Sequence, residues 1–374
     1  MNVIFTCGGT AGHINPAIAV ADILKERHPD AKILFIGAKG HMEEKLVPQA
    51  GYEVVCLPGS GLSRSLNLAG IKKNINAIKC VLSAVSKCKK IIRDFGADVI
   101  VGTGGYASFP AIFAGSRLGI PTVVHEANAV PGLTTKMAAN VANQVLVCFE
   151  ESRQYYKHPE QVQVVGMPVR KEFIFADKEA AKRELGLSGK HVVVSAFGSQ
   201  GAKVMNETMA GMFPLEQADG FPFHHIHAVG SFGWGWMPQM IKDNGVDYEN
   251  CPELDIREYI YNMPTVMAAA DVVISRAGAS TCNEIAASGT PCILIPSPNV
   301  TDNHQEKNAR ALERGGGAVV VLEKDCTAEK IYNEIKAITS DAKRQAQMEK
   351  ALFQMVVPDS AERVCGIMEQ LAKG

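Results

Sequence analysis

The sequence lacks an apolar run long enough to cross a bilayer, and it does not begin with the basic segment and cleavable apolar stretch of a signal peptide. Its 10 cysteines are scattered, without a C-x-x-C pair or a cluster at zinc spacing. The net charge of -1 is not the basic excess typical of nucleic-acid binders. We therefore expect reduced thiols, a cytosolic setting and no nucleic-acid partner.

Three common nucleotide-binding signatures are also missing. No G-x-x-x-x-G-K-[ST] occurs, which excludes a P-loop. Gly8, Gly9 and Gly12 lack the spacing of a dinucleotide fingerprint, and the second predicted strand ends in "FIGAKG", without an acidic ribose ligand. Because no Asp-x-Asp is present, we expect neither a cofactor nor a divalent metal, and a bound diphosphate would be neutralised by amides, helix dipoles and Arg170.

What the sequence does contain is a regular alternation of short β-branched runs with helical patterns over 374 residues, which predicts an α/β chain of two domains. We place the domains at 1–167 and 168–357, with a helix at 358–374 that joins the first domain. Each domain is expected to hold a doubly wound parallel sheet. The predicted strands are 3–6, 33–36, 54–57, 99–101, 122–124, 144–147, 192–196, 225–229, 255–257, 272–275, 292–295 and 318–322.

Glycine-rich turns follow four of these strands. They read "GGTAGH" at 8–13, "GTGGY" at 102–106, "GSQGA" at 198–202 and "SRAGAST" at 275–281. In doubly wound sheets, ligands bind beyond the carboxyl ends of the strands, where backbone N–H groups and helix N-termini are accessible. We therefore expect the chemistry in a cleft between the domains.

These turns, together with "HEANAVPG", "GMPVR" and "SRAGASTCNEIAASGTPCILIPSP", resemble in order and spacing the motifs of the MurG family of glycosyltransferases. The departures are small: Phe197-Gly198 replaces a double glycine, and "HEANA" replaces "HEQNA". The resemblance implies a GT-B fold, with two Rossmann-like domains facing each other across a cleft. It also implies transfer of N-acetylglucosamine from UDP-GlcNAc to lipid I, forming lipid II, by a peripheral enzyme at the cytoplasmic face of the plasma membrane.

The resemblance further implies a donor site in the second domain. Glu284 would grip the ribose, although a Glu on a helix is more commonly just solvated. The backbone at Ile260 would contact the uracil edge, and Gln305 would bind the sugar. His304 stands where the family usually has another Gln, so the sugar contact of that Gln is either lost or made by the histidine. The remaining expected donor-site residues are Thr10, Gly12, Arg170, Ser199, Gln200, Ala279, Ser280 and Thr281.

His13 is the predicted general base. Histidine titrates near neutral pH, and the N-terminus of a helix favours the neutral imidazole that can accept a proton. The alternative is a structural histidine that caps the helix. Gly104, Tyr106 and Asn128 are expected on the acceptor side, where the alternative is that they only shape turns.

An acid-free basic stretch runs from residue 54 to residue 93. It carries eight positive charges, and apolar residues recur at helical spacing: Ile71, Ile75, Ile78, Leu82 and Val85. This pattern predicts an amphipathic helix that docks on anionic lipid. Part of the helix would instead pack on the first domain. The expected membrane contacts are Ile71, Lys72, Lys73, Ile75, Lys79 and Leu82.

Other cell-wall synthesis proteins are also expected partners. Competing functions are a UDP-GlcNAc 2-epimerase, a glycolipid synthase and a non-catalytic UDP-sugar sensor.

Overall fold

The structure is a computed structural model, and it describes residues 1–58, 68–105, 107–128, 130–174, 176–300 and 303–373, with only the backbone described at 68–79. The chain forms two compact units. Unit 1 comprises Met1–Arg170 and Val357–Gly374, and unit 2 comprises Lys171–Val356. Unit 1 is therefore built from both ends of the chain, whereas unit 2 is one continuous segment.

Unit 1 contains a sheet of seven parallel strands. They are β1 (Asn2–Thr6), β2 (Lys32–Ala38), β3 (Glu53–Leu57), β4 (Val99–Gly102), β5 (Thr122–Glu126), β6 (Gln144–Val147) and β7 (Val162–Val164). The order in the sheet is β3-β2-β1-β4-β5-β6-β7. Since this order changes direction between β1 and β4, the loops that follow these two strands lie at the topological switch point, where such sheets bind ligands.

Helices cover both faces of this sheet, which explains why its strands are almost entirely apolar. In this part of the chain they are α1 (Ala11–Arg27), α2 (Glu43–Gln49), α3 (Leu68–Phe95), α4 (Ser108–Leu118) and α5 (Leu133–Ala139). On one face, Ile14 and Leu24 of α1 are fully buried. On the other face, Cys88 and Ile92 of α3 pack with Ile112 of α4.

Unit 2 contains a sheet of six parallel strands. They are β8 (Val192–Ala196), β9 (His224–Ala228), β10 (Leu254–Arg257), β11 (Val272–Ser275), β12 (Cys292–Leu294) and β13 (Ala318–Val320), in the order β10-β9-β8-β11-β12-β13. Its helices are α6 (Lys178–Glu184), α7 (Lys203–Ala218), α8 (Met237–Asp243), α9 (Met263–Ala269), α10 (Ala279–Ser288), α11 (His304–Arg314), α12 (Ala328–Thr339) and α13 (Ala342–Met355). Here β8 and β11 form the switch point.

A buried polar network lies in the core of unit 2. The Ser195 hydroxyl is 2.7 Å from His225 Nε2 and 2.6 Å from His227 Nδ1, and His225 Nδ1 is 2.8 Å from Glu216 Oε1. All four side chains are fully buried. Burial lowers the pKa of His227 well below its ordinary value, so this imidazole stays neutral in the folded protein.

The final helix of the sequence, α14 (Ser360–Leu371), belongs to unit 1. Its Val364, Cys365 and Met368 are buried in the same core as the apolar face of α1.

The predicted fold class is confirmed, because both units are doubly wound parallel sheets. Strand β7, at the edge of the sheet, is not among the strands predicted from the sequence.

Candidate functional site

The loop between β1 and α1 positions His13 in the first turn of α1. His13 Nδ1 lies 3.0 Å from the Gly8 carbonyl oxygen and 3.3 Å from Thr10 Oγ1. A carbonyl oxygen can only accept, so Nδ1 carries a proton, and in the neutral imidazole Nε2 then has the lone pair. The side chain therefore bonds to a loop carbonyl rather than to a helix N–H, which argues against the capping alternative.

The loop after β4 lies against the other edge of the His13 ring. A Cβ at Gly104 would come within 2.7 Å of His13 Cδ2 and 3.0 Å of Nε2, and Gly104 has a φ of 107°. Only glycine combines that backbone with this close approach. The neighbouring Thr103 hydroxyl donates to the His13 carbonyl oxygen at 2.6 Å. Tyr106 lies outside the described residues.

Asn128 is held by Glu126, a residue that the sequence analysis does not single out. Glu126 Oε1 accepts from both the backbone N–H and the side-chain amide of Asn128, each at 2.9 Å, and Oε2 accepts from the Gly132 N–H at 3.2 Å. Its position at the carboxyl end of β5 was the available signal. The adjacent His125 is buried, and burial lowers its pKa; its Nε2 is 2.9 Å from the Gly166 carbonyl oxygen. His125 is thus a structural histidine.

Glu43 is a second acidic residue that the sequence analysis misses. It begins α2 and is completely buried. Glu43 Oε1 accepts from the Gly9 N–H at 2.8 Å and from the Ala38 N–H at 3.3 Å. In the sequence, Glu43 reads as an ordinary solvated acid at a helix N-terminus, like its exposed neighbour Glu44.

In unit 2, the loop at 197–202 follows β8 and carries Ser199 and Gln200. The Ser199 and Gln200 carbonyl oxygens accept from the backbone N–H groups of Ser231 and Phe232, at 3.3 and 3.0 Å. These bonds tie the loops after β8 and β9 together at the carboxyl edge of the sheet.

The loop after β11 leads into α10, whose first turn contains Ala279, Ser280 and Thr281. Glu284 lies on the following turn, and its Oε1 accepts from the Ser280 hydroxyl at 3.1 Å. Gly278 precedes the helix in an extended conformation, without a side chain to cap the first amides. Those N–H groups and the helix dipole suit an anion.

Two further predicted donor contacts lie at the same edge of unit 2. Ile260 follows β10 and its side chain is buried, which fixes the backbone that would contact uracil. Gln305, in the first turn of α11, uses its Oε1 to accept from the Ser297 N–H at 2.9 Å. This bond connects the start of α11 to the loop after β12.

The remaining predicted residues all belong to unit 1. Among them are the predicted donor-site residues Thr10, Gly12 and Arg170, with Arg170 at the boundary of the unit. Leu82 on α3 is 65% exposed, whereas Val85 is buried. The side chains of Ile71, Lys72, Lys73, Ile75 and Lys79 lie outside the described part of the chain. Every helix in the described residues is too short or too polar to span a bilayer.

Two family models match this chain. Residues 3–147 match the N-terminal domain of glycosyltransferase family 28, and residues 192–364 match its C-terminal domain. The chain belongs to glycosyltransferase family 28. The resemblance seen in the motifs is confirmed, and each domain match begins in a different unit.

Relatives match along the full length. An Acetivibrio thermocellus protein is 38% identical over 100% of this chain and 99% of its own. A Bacillus anthracis protein is 37% identical over 100% of both chains. Both are named UDP-N-acetylglucosamine–N-acetylmuramyl-(pentapeptide) pyrophosphoryl-undecaprenol N-acetylglucosamine transferase, the second with the suffix 1.

Solved structures share the fold. Acinetobacter baumannii MurG matches with a TM-score of 0.72 and 24% identity, over 99% of both chains. A UDP-GlcNAc 2-epimerase from Neisseria meningitidis matches with a TM-score of 0.66 and 13% identity, over 99% of this chain and 100% of its own. Since transferases and epimerases share this fold, it cannot separate the two activities.

Proposed function

We propose that this family 28 member transfers N-acetylglucosamine from UDP-GlcNAc to the C4 hydroxyl of the MurNAc unit of lipid I, undecaprenyl-pyrophosphoryl-MurNAc-pentapeptide, and so forms lipid II. The observation that carries the proposal is the full-length likeness, at 38% identity, to a relative named for this transfer. The likeness extends over both units.

Unit 2 would bind the donor. The Glu284 carboxylate accepts from the two ribose hydroxyls, and the Ile260 backbone contacts the uracil edge. The amides at the start of α10 and in the 197–202 loop, together with Arg170, neutralise the diphosphate. This arrangement would stabilise the leaving UDP without a metal ion.

Unit 1 would bind the acceptor through the loops that carry Gly104, Tyr106 and Asn128. The acceptor hydroxyl oxygen attacks the anomeric carbon of GlcNAc from the face opposite UDP, and the bond from that carbon to the phosphate oxygen breaks. His13 Nε2 takes the hydroxyl proton, since Nδ1 is already protonated in its bond to Gly8. The product therefore has inverted configuration.

A peripheral position at the cytoplasmic face of the plasma membrane fits a lipid-linked acceptor. The acid-free segment 54–93 would face the anionic headgroups, and the exposed Leu82 lies in this segment. Other cell-wall synthesis proteins are further candidate partners there.

The test is release of UDP from UDP-GlcNAc with and without a lipid I analogue. The proposed transferase releases UDP only with the analogue and forms a product that carries one added GlcNAc. Conversion of UDP-GlcNAc without an acceptor would instead indicate an epimerase. Transfer to diacylglycerol would indicate a glycolipid synthase, and binding without turnover a sensor.

A further inference from the structure

The buried Glu43 carboxylate and the His13 imidazole bond to opposite sides of one peptide group. Glu43 Oε1 accepts from the Gly9 N–H, and His13 Nδ1 donates to the Gly8 carbonyl oxygen. These two groups belong to the same peptide unit, and in a trans peptide they point in opposite directions. Glu43, the Gly8–Gly9 peptide and His13 therefore form one continuous hydrogen-bonded chain.

We propose that Glu43 is a positioning residue that acts on His13 through the Gly8–Gly9 peptide. The inference rests on the proposed function, in which His13 is the base. The Glu43 bond fixes the plane of the peptide, and the Gly8 carbonyl in turn fixes both the orientation and the Nδ1–H tautomer of the imidazole. The acceptor hydroxyl would be the nucleophile, His13 the base and Glu43 the acid that orients the base. Here a peptide group lies between the base and the acid.

The surroundings of Glu43 support a dedicated role. The side chain is completely buried, and in the described part of the chain its Oε2 has no hydrogen-bond partner. A carboxylate in such a place is costly, and an apolar side chain would fill the volume more cheaply. A chain of hydrogen bonds also polarises its members, so the carboxylate strengthens the Gly8 carbonyl as an acceptor.

The experiment compares Glu43→Gln with Glu43→Met. Gln keeps an oxygen that can accept from Gly9 N–H, whereas Met fills the same space without one. We expect Glu43→Met to lower kcat by about ten- to a hundredfold, as for other orienting partners, while the KM for UDP-GlcNAc changes less than about twofold. Glu43→Gln should recover most of this loss. Glu44→Gln is the matched control, because Glu44 is exposed.

A double-mutant cycle then separates positioning from general support. If Glu43 acts only through His13, Glu43→Met in a His13→Ala background causes no further loss of kcat. Additive losses, equal losses in Gln and Met, or a normal kcat in Glu43→Met would each overturn the proposal.

A readout that needs neither activity nor a Glu43 variant is ¹⁵N NMR of the histidines, with the His13 signal assigned by its loss in His13→Ala. The proposal requires the Nδ1–H tautomer in the wild type, and an Nε2–H tautomer overturns it even if the variants fail to fold. A wild type without transferase activity but with the Nδ1–H tautomer refutes the proposed function and leaves the Glu43–His13 link standing.

Discussion

Ser280 and Glu284 lie one turn apart on α10, and the serine hydroxyl donates to the carboxylate over 3.1 Å. This hydrogen bond orients the Glu284 carboxylate on the second turn of α10. We expect the ribose of the nucleotide to bind there.

We expect Glu284→Ala to weaken UDP-GlcNAc binding by roughly 1.5–3 kcal/mol, as for hydrogen bonds to a charged group. Calorimetry measures the affinity directly. Glu329→Ala, which removes an exposed Glu from the first turn of α12, should leave the affinity unchanged. An unaltered affinity in folded Glu284→Ala would remove Glu284 from the donor site.

For His13→Ala we expect a loss of turnover of at least about a hundredfold, the usual range for a positioned base. UDP binding should persist, because most of the predicted donor contacts belong to unit 2. His158→Ala is a control on an exposed histidine of unit 1. Near-normal turnover in His13→Ala would move the base to another group.

Gly104→Ala should displace the His13 ring, because the new Cβ would lie 3.0 Å from Nε2. A misplaced catalytic group costs about tenfold to a hundredfold in kcat, while donor affinity should stay constant. Gly119→Ala is the matched control: Gly119 also has a positive φ, of 73°, but among the described residues its Cβ would meet no heavy atom within 4 Å outside its own chain neighbours and helix backbone. If both variants lose the same activity, backbone strain and not contact with His13 is the cause.

Reversing Lys72, Lys73 and Lys79 to Glu should reduce binding to anionic vesicles, since each lysine near an anionic surface contributes about 1 kcal/mol. Flotation or sedimentation with vesicles at low salt measures the effect, and UDP affinity should not change. The control reverses Lys324, Lys343 and Lys350, which belong to unit 2. Equal vesicle binding by the wild type and the 72/73/79 variant would place the membrane contact elsewhere.

Unit 2 should lose stability as the pH falls below about 6.5, the ordinary histidine pKa. Burial lowers the folded-state pKa of His224 and, further, of His227. Both therefore stay neutral when folded but take up a proton on unfolding, so the unfolded state binds more protons and acid favours it. Each contributes a slope of about 1.4 kcal/mol per pH unit until its folded-state pKa is reached.

Urea unfolding followed by tryptophan fluorescence isolates this effect, because both tryptophans, Trp234 and Trp236, are in unit 2. His227→Asn should remove the uptake of about one proton on unfolding. The free energy of unfolding of unit 2 should therefore fall less steeply as the pH is lowered. An identical slope in wild type and variant would show that His227 does not titrate on unfolding.

The fold was largely predictable from the sequence, whereas the hydrogen bonding of the site was not. The apolar runs of β1 and β4, and the glycine turns that follow them, can be recognised directly in the sequence. Glu43 has no such signal, because the Gly9 N–H that it binds lies 34 residues away in the sequence and only the folded chain brings the two together. Glu126 has one, its position at the end of β5, but its hydrogen bonds to the Asn128 and Gly132 N–H groups depend on the shape of the loop. The roles of His13 and Glu284 stay predictions.

Unit 1 completes its core with α14, which is synthesised after the whole of unit 2, although the sheet of unit 1 comes from the first part of the chain. Until α14 has been synthesised, the apolar surface of α1 that α14 covers stays uncovered by that helix. The first domain therefore cannot complete its core while unit 2 is being translated. The order of synthesis is thus the reverse of the order of completion. When residue 359 has been added, all of unit 2 has been translated, whereas unit 1 still lacks its last helix.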